Sequence, residues 1–377
     1  MGVLVQAPLH SAIRDEIMNL NVKRLLFFCV LPLAAFCLVV GWIYSGAPGF
    51  PAPSLKRIAV ARWQPRDSAG EFVYQDKLWL LGGWKTTPTE LLRDVWNSTD
   101  GVKWDLVQPE LPFHYTDLPM TIVFKDRMWV MGGTTLSDPD HPATNSVWNS
   151  DDGIHWNNVQ AAASWSPRTA TPIVMLNGKL WILGGLEWVD GKQTLKNDVW
   201  NSSDGINWTK VTEHAAWQPR AYHAAVAYHG KLWVLGGGSY HPDYIAFNDV
   251  WNSEDGINWK KVSNAPWSGR IWFSASEYQD RIWVIGGWSK DTLNVGGIWF
   301  TDNGIDWTRL PLSDSWRPRH EQSTYVVGDK IIIAAGHADP ITNEVWELKV
   351  PPLWLKFDRL VHQVLPFVNG RTDGSAD

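Results

Sequence analysis

The sequence predicts an all-β fold, a β-propeller of six blades, preceded by one N-terminal transmembrane helix. Three observations carry this. A Gly-Gly pair returns every 49 to 52 residues, at Gly82-Gly83, Gly132-Gly133, Gly184-Gly185, Gly236-Gly237 and Gly286-Gly287, with Ala335-Gly336 in sixth place. The string Trp-Asn-Ser-x-Asp-Gly-x-x-Trp keeps step with it. Residues 25–44 carry no charge. A period of this length means one supersecondary unit repeated, each burying its apolar faces against the next.

Each unit opens on Trp-x-Pro-Arg: Trp63 to Arg66, Trp165 to Arg168, Trp217 to Arg220 and Trp316 to Arg319. Gly269 replaces the proline before Arg270, and in the second unit Phe113 keeps the register while Thr116 stands for the arginine. From this aromatic to the glycine pair is 19 residues in all six units, so the first half of the repeat admits no insertion. An alternating segment then reaches a two-residue turn, such as Gln75-Asp76 or Asn177-Gly178, which reads as a tight hairpin. The next run, as in Lys231 to Gly237, is short, apolar and glycine-ended, a strand buried on both faces. A loop of varying length follows. Asp-Val-Trp-Asn-Ser makes a third strand, Asp-Gly a second hairpin, and a short fourth strand ends the unit.

Four antiparallel strands in six units close radially, which protects the sheet edges. The sixth unit replaces Asp-Gly with Pro351-Pro352, which cannot form that hairpin. Leu55 to Ala61 is therefore expected to supply the outer strand of the last blade, with Leu353 to Phe357 as the alternative. The Gly-Gly pairs, the downstream tryptophans and Arg220-Ala-Tyr-His223 resemble the kelch repeat. The Ser-x-Asp-Gly-x-x-Trp turns resemble a shortened Asp-box of sialidase-like propellers. The resemblance covers roughly residues 54–357. It implies the fold and leaves function open, because such propellers host unrelated activities.

Of 27 tryptophans, 22 fall at four repeat positions: the opening residue, the second strand, the third strand and the position after Asp-Gly, the last running from Trp104 to Trp354. Rings there are expected to fill the wedges between blades.

The net charge of −6 gives no basic stripe and argues against nucleic-acid binding. Both cysteines, Cys29 and Cys37, precede the repeats, so the propeller has no thiolate or disulfide chemistry. As a helix, residues 25–44 reach about 30 Å, enough for a bilayer. Arg14, Lys23 and Arg24 before them place the N-terminus inside. A cleaved signal ending at Ser45-Gly46-Ala47 is the rival, disfavoured by Pro48 and by the long polar lead. The organisation expected is a cytoplasmic segment 1–24, a membrane helix 25–44, a Pro/Gly linker 45–54, a propeller 55–357 and a C-terminal tail 358–377. The expected setting is a bacterial inner membrane, with the propeller in the periplasm.

Every variable-length stretch joins the second strand to the third, for example Trp84 to Arg93 and Leu186 to Asn197. Variable loops on a rigid scaffold are where binding resides. On the same face Arg66, Arg168, Arg220, Arg270 and Arg319 each begin an innermost strand and would ring the channel mouth, where guanidinium groups suit a carboxylate or phosphate. The alternative is that each stacks on its own tryptophan and bonds carbonyls of the next blade. Trp84, Trp188, Trp272 and Trp288 stand outside the repeat and offer flat platforms for sugar rings or a partner's apolar patch. His223, His320 and Glu321 are the acid–base candidates. Loop residues such as Asp138, His241 and His337 lack metal-ligand spacing, so no metal or cofactor is expected.

The leading expectation is a membrane-anchored propeller that binds a protein or glycan. A carbohydrate-active enzyme using the arginines, sialidase-like or mutarotase-like, is the second reading, and a structural subunit of an envelope complex the third. A galactose-oxidase-like copper site would need a cysteine that the propeller lacks.

Overall fold

The computed structural model describes residues 49–138, 142–189, 192–312 and 316–364. The transmembrane helix expected at 25–44 lies outside them. Among the described residues no helix is long and apolar enough to cross a membrane. The chain divides into a propeller unit, 53–350, and a unit that holds the helix α1 (Pro352–Val364).

The propeller is six antiparallel sheets. The strand β1 (Ser54–Val60) comes first and belongs to the last blade. Blade 1 follows as β2 (Gly70–Tyr74), β3 (Lys77–Leu81), β6 (Val95–Ser98) and β7 (Asp105–Gln108), paired in that order. A ribbon of β4 (Trp84–Thr86) and β5 (Thr89–Leu91) stands between β3 and β6. The same plan returns in blades 2 to 5. In blade 6, β1 takes the outer place, with Ser54 opposite Lys349 and Val60 opposite Glu344. The first strand of the propeller thus closes the ring, as expected. Trp354, which the repeat spacing placed in a fourth strand, sits in α1 instead. Proline at the start of α1 suits a first helical turn and cannot continue a sheet ladder.

Two repeated devices set the blades. The N–H of the second glycine of each pair donates to a carbonyl in the next blade: Gly83 to Thr116, Gly133 to Arg168, Gly185 to Arg220, Gly237 to Arg270, Gly287 to Arg319, and Gly336 back to Arg66. Each seam bond is 2.8–3.0 Å, and the sixth joins the end of the ring to its start. The first glycine of a pair can crowd the same seam, as at Gly132, where an added Cβ would lie 2.6 Å from the Arg168 carbonyl oxygen. The Asp-Gly hairpin is the second device. In blade 1, Ser98 Oγ accepts the Gly101 N–H, Asp100 Oδ1 accepts those of Val102 and Lys103, and Trp104 Nε1 donates to the Gly101 carbonyl.

Core residues cluster across blade boundaries. Trp129, Trp165 and Trp208 share one cluster with Leu180 and Trp200, and Trp233, Trp267 and Trp307 share another. The opening aromatic and the post-turn tryptophan meet edge to face: Trp63–Trp104 at 6.0 Å, Phe113–Trp156 at 5.7 Å, Trp165–Trp208 at 6.3 Å. Such pairs add about 0.5–1.5 kcal/mol beyond the area they bury.

The stretch Leu186 to Asn197, expected as a loop, continues the sheet. Lys179–Val189 and Lys192–Ser202 pair from Leu180–Ser202 out to Val189–Lys192, an arm on the variable face. Alternating Glu187-Trp188-Val189 and Gln193-Thr194-Leu195 have strand character that the preceding glycines hid.

Candidate functional site

Arg66, Arg168, Arg220, Arg270 and Arg319 have no accessible surface. They do not form the expected guanidinium ring open to the channel mouth. Each bonds within its own blade. Arg168 Nη1 donates to the Gly184 carbonyl at 3.0 Å and to Asp198 Oδ1 at 2.9 Å, and its Nη2 donates to Asp198 Oδ2 at 2.9 Å. Arg66 pairs likewise with Asp94, Arg220 with Asp249, and Arg319 with Glu344. Arg270 donates to the Gly286 carbonyl and to Ser268, with Gly297 where blades 1, 3, 4 and 6 carry the acid. Arg66, Arg220, Arg270 and Arg319 lie 4.6–5.8 Å from the opening tryptophans of their own repeats. Burial opposes ionisation of Asp94, Asp198 and Asp249, but the paired arginines overcome it and hold these carboxyls below their usual range. Drawing a guanidinium out to a ligand would break a buried pair, a loss of about 3–5 kcal/mol. The arginines are therefore rivets.

The channel is lined two residues further on. Ser68, Leu118, Ala170, Tyr222, Trp272 and Glu321 occupy equivalent positions in the six blades, all with left-handed φ of 47–59°. That conformation is costly for residues with a Cβ and needs compensation. A hoop of backbone bonds supplies it. Leu118 donates to Ser68, Tyr222 to Ala170, Trp272 to Tyr222, Glu321 to Trp272, and Ser68 to Glu321, at 2.9–3.2 Å. Between blades 2 and 3, Thr169 Oγ1 donates to the Leu118 carbonyl. All six residues face a cavity of about 290 Å³.

Aromatic rings form a crescent over blades 4 to 6 at this mouth. Trp272 touches Tyr222 at 5.1 Å, Tyr240 at 4.8 Å and Trp288 at 5.9 Å, and Tyr244 meets Trp288 at 5.2 Å. His320 stacks on Trp272 at 5.2 Å, and His337 stacks on His320 at 4.9 Å. The His337 ring reaches Asp67 at 3.1 Å. Asp67, Asp117 and Glu321 form an acidic group beside the crescent. Burial raises the Asp117 carboxyl to about 6, and the Asp67 charge adds to the rise. Burial, then Asp67 and Asp117, push Glu321 well above the carboxylate range. Deeper in the channel, burial raises Glu71 to about 8, because its partly open surface meets confined space and not bulk water.

The structure brings together only some of the expected site residues. Trp272, Trp288, His320 and Glu321 meet at the mouth. Trp84 and Trp188 belong to blades 1 and 3, on β4 and on the long arm, outside the crescent. His223 is buried against Trp217 at 5.9 Å, and burial, then Arg220, lower it to about 3, so its ring stays uncharged near neutrality. His320 is also lowered to about 3, by burial and then by His337. Asp67, Asp117, Tyr222, Tyr240 and Tyr244 escaped the sequence reading. For Asp67, Asp117 and Tyr222 a signal was present: the second position after the arginine, or after Thr116, differs in every blade, and the first is Asp in blades 1 and 2 but nowhere else. Among the described residues no group of His, Cys, Asp and Glu is arranged to hold a metal ion.

Repeated residues here hold the blades, and unrepeated ones gather at the channel mouth of the propeller. Residues 68–287 match the profile of the KLHDC2/KLHL20/DRC7 kelch-repeats domain, and the chain belongs to the kelch-repeat family. It is also similar to the dynein alpha chain of the flagellar outer arm of Chlamydomonas reinhardtii, 28% identical over 151 residues. That match covers 37% of this chain and only 3% of the dynein's length. Kelch propellers generally mediate protein interactions.

Proposed function

We propose that this chain is a membrane-anchored interaction module that captures a basic segment of a partner polypeptide at the channel mouth. The observation that carries this is the aromatic crescent from Tyr244 to His337, set beside Asp67, Asp117 and Glu321. Faces of tryptophan and tyrosine attract ammonium and guanidinium groups, and the Asp67 and Asp117 carboxylates complete the match. The buried arginines leave the earlier expectation of an anionic ligand without a donor set. The uncharged stretch 25–44, with Lys23 and Arg24 at its start, supports an uncleaved anchor and an extracytoplasmic propeller.

The test is a randomised heptapeptide display library panned against the full chain in detergent micelles. Lysine- and arginine-bearing peptides should be enriched. Trp272→Ala and Asp117→Asn should each weaken the best of them about tenfold or more, the scale of a hot-spot residue. Affinity should rise from pH 5 to pH 7, as Asp117, pushed up to about 6, loses its proton. Enrichment of acidic peptides, or binding of a glycan array in place of peptides, would sink the reading.

A further inference from the structure

The hairpin face carries an apolar ring. The residue after each Asp-Gly or Asn-Gly pair is aliphatic: Val102, Ile154, Ile206, Ile257 and Ile305. All five are 37–57% exposed. None is loosely held, since each backbone N–H donates to the preceding Asp or Asn side chain at 2.7–2.9 Å. The repeat sets them at equivalent points on one face, one per blade in blades 1 to 5.

Blade 6 has no such hairpin. At its corner the propeller begins and ends, with Ser54 opposite Lys349. The strand Glu344–Lys349 runs away from Arg319, which pairs with Glu344, so Ser54 lies at the hairpin end of the sheet. The chain before it holds nine residues, 45–53, and then the uncharged stretch 25–44. Nine residues span about 30 Å fully extended. A tether of that length rising from a bilayer takes the sixth corner and brings the other five toward the same surface.

We propose that the five hairpin tips rest in the bilayer interface, so that the propeller sits hairpin face down on its own membrane with the channel mouth turned away. This rests on the anchor reading above. Aliphatic tips on rigid polar turns suit shallow insertion at the headgroup level, where the Asx turns stay hydrated. The occupant is lipid and not a protein, because the tether leads there.

The test uses the full chain with Cys29→Ala and Cys37→Ala, reconstituted in phosphatidylcholine vesicles that carry a headgroup-level spin-labelled lipid. A fluorophore is placed on Ile206→Cys or Ile257→Cys, and on Glu90→Cys or Lys290→Cys for the opposite face. Hairpin probes should be quenched several-fold more than mouth probes. Replacing the other four tips with serine should cut that quenching at least twofold while the chain still floats with the vesicles. Flotation with equal quenching on the two faces, as a protein partner on this face would give, overturns the seating and leaves the anchor standing. A chain that does not float with the vesicles overturns both.

Discussion

Arg168 and Asp198 show at single residues why the repeat keeps its arginine. The guanidinium is fully buried, Asp198 is 3% exposed, and two bonds of 2.9 Å join them. Blade 2 solves the same position differently. Thr116 replaces the arginine, Ser146 stands where the acid would be, and Thr116 Oγ1 donates to the Leu92 carbonyl at 2.8 Å. In blade 2 arginine and acid are lost together, which leaves no uncompensated buried charge, while blade 5 keeps Arg270 without the acid and bonds it to the Gly286 carbonyl and Ser268. Arg168→Ala should therefore lower stability by about 3–5 kcal/mol. The double change Arg168→Thr with Asp198→Ser, copying blade 2, should recover more than half of that loss in urea titrations. Additive losses in the double variant would show that the pair is not the reason for the repeat.

The hairpin glycine decides how one element meets the next. Gly153 lies against Trp79 of the preceding blade, Gly205 against Trp129, Gly256 against Trp181 and Gly304 against Trp233, where an added Cβ would come within 2.3–2.8 Å of the ring. The second-strand tryptophan of each of these blades is thus roofed by the next blade's hairpin. Gly178 offers a control, since its φ of +72° is close to the +81° of Gly205 but nothing lies within 4 Å of its Cβ position. Backbone strain should cost Gly178→Ala about 1–2 kcal/mol. Gly205→Ala should lose a further 1–3 kcal/mol or so by overpacking. Equal melting temperatures for the two variants would mean that the ring moves aside freely and that the hairpin does not lock the wedge.

Closure operates at the scale of the whole molecule. Six seam bonds and the backbone hoop run around the ring, and β1 fastens its two ends. Asn343 Nδ2 adds bonds to the carbonyls of Ala61 and Trp63 across the same join. Deleting residues 54–61 removes that fastening and exposes the strand Glu344–Lys349 as an unpaired edge. The melting temperature should fall by 10 °C or so or more, with aggregation on heating, given about 2–4 °C per kcal/mol for a domain of this size. An unchanged melting curve would show that the seams alone hold the ring.

By itself, the sequence determined the number of blades, the strand order within each, the closing strand and the packing role of the tryptophans, because these follow from a short-range pattern repeated in register. Closing the ring fixes the depth of each residue, which decided the rest. Arginines at the start of innermost strands look poised at a mouth until the acids 25 to 30 residues later fold over them. Residues two places beyond look unremarkable until left-handed backbone turns them into the channel. The crescent joins Tyr222, Tyr240, Trp272, Trp288, His320 and His337 from three blades; Tyr222 and Trp272 share one register position and Trp288 and His337 another, but the side chain at each varies among the blades and so carries no repeated pattern. A repeat announces what every blade needs for packing; the proposed binding chemistry lies where the blades differ, and only their convergence about one axis brings those differences together.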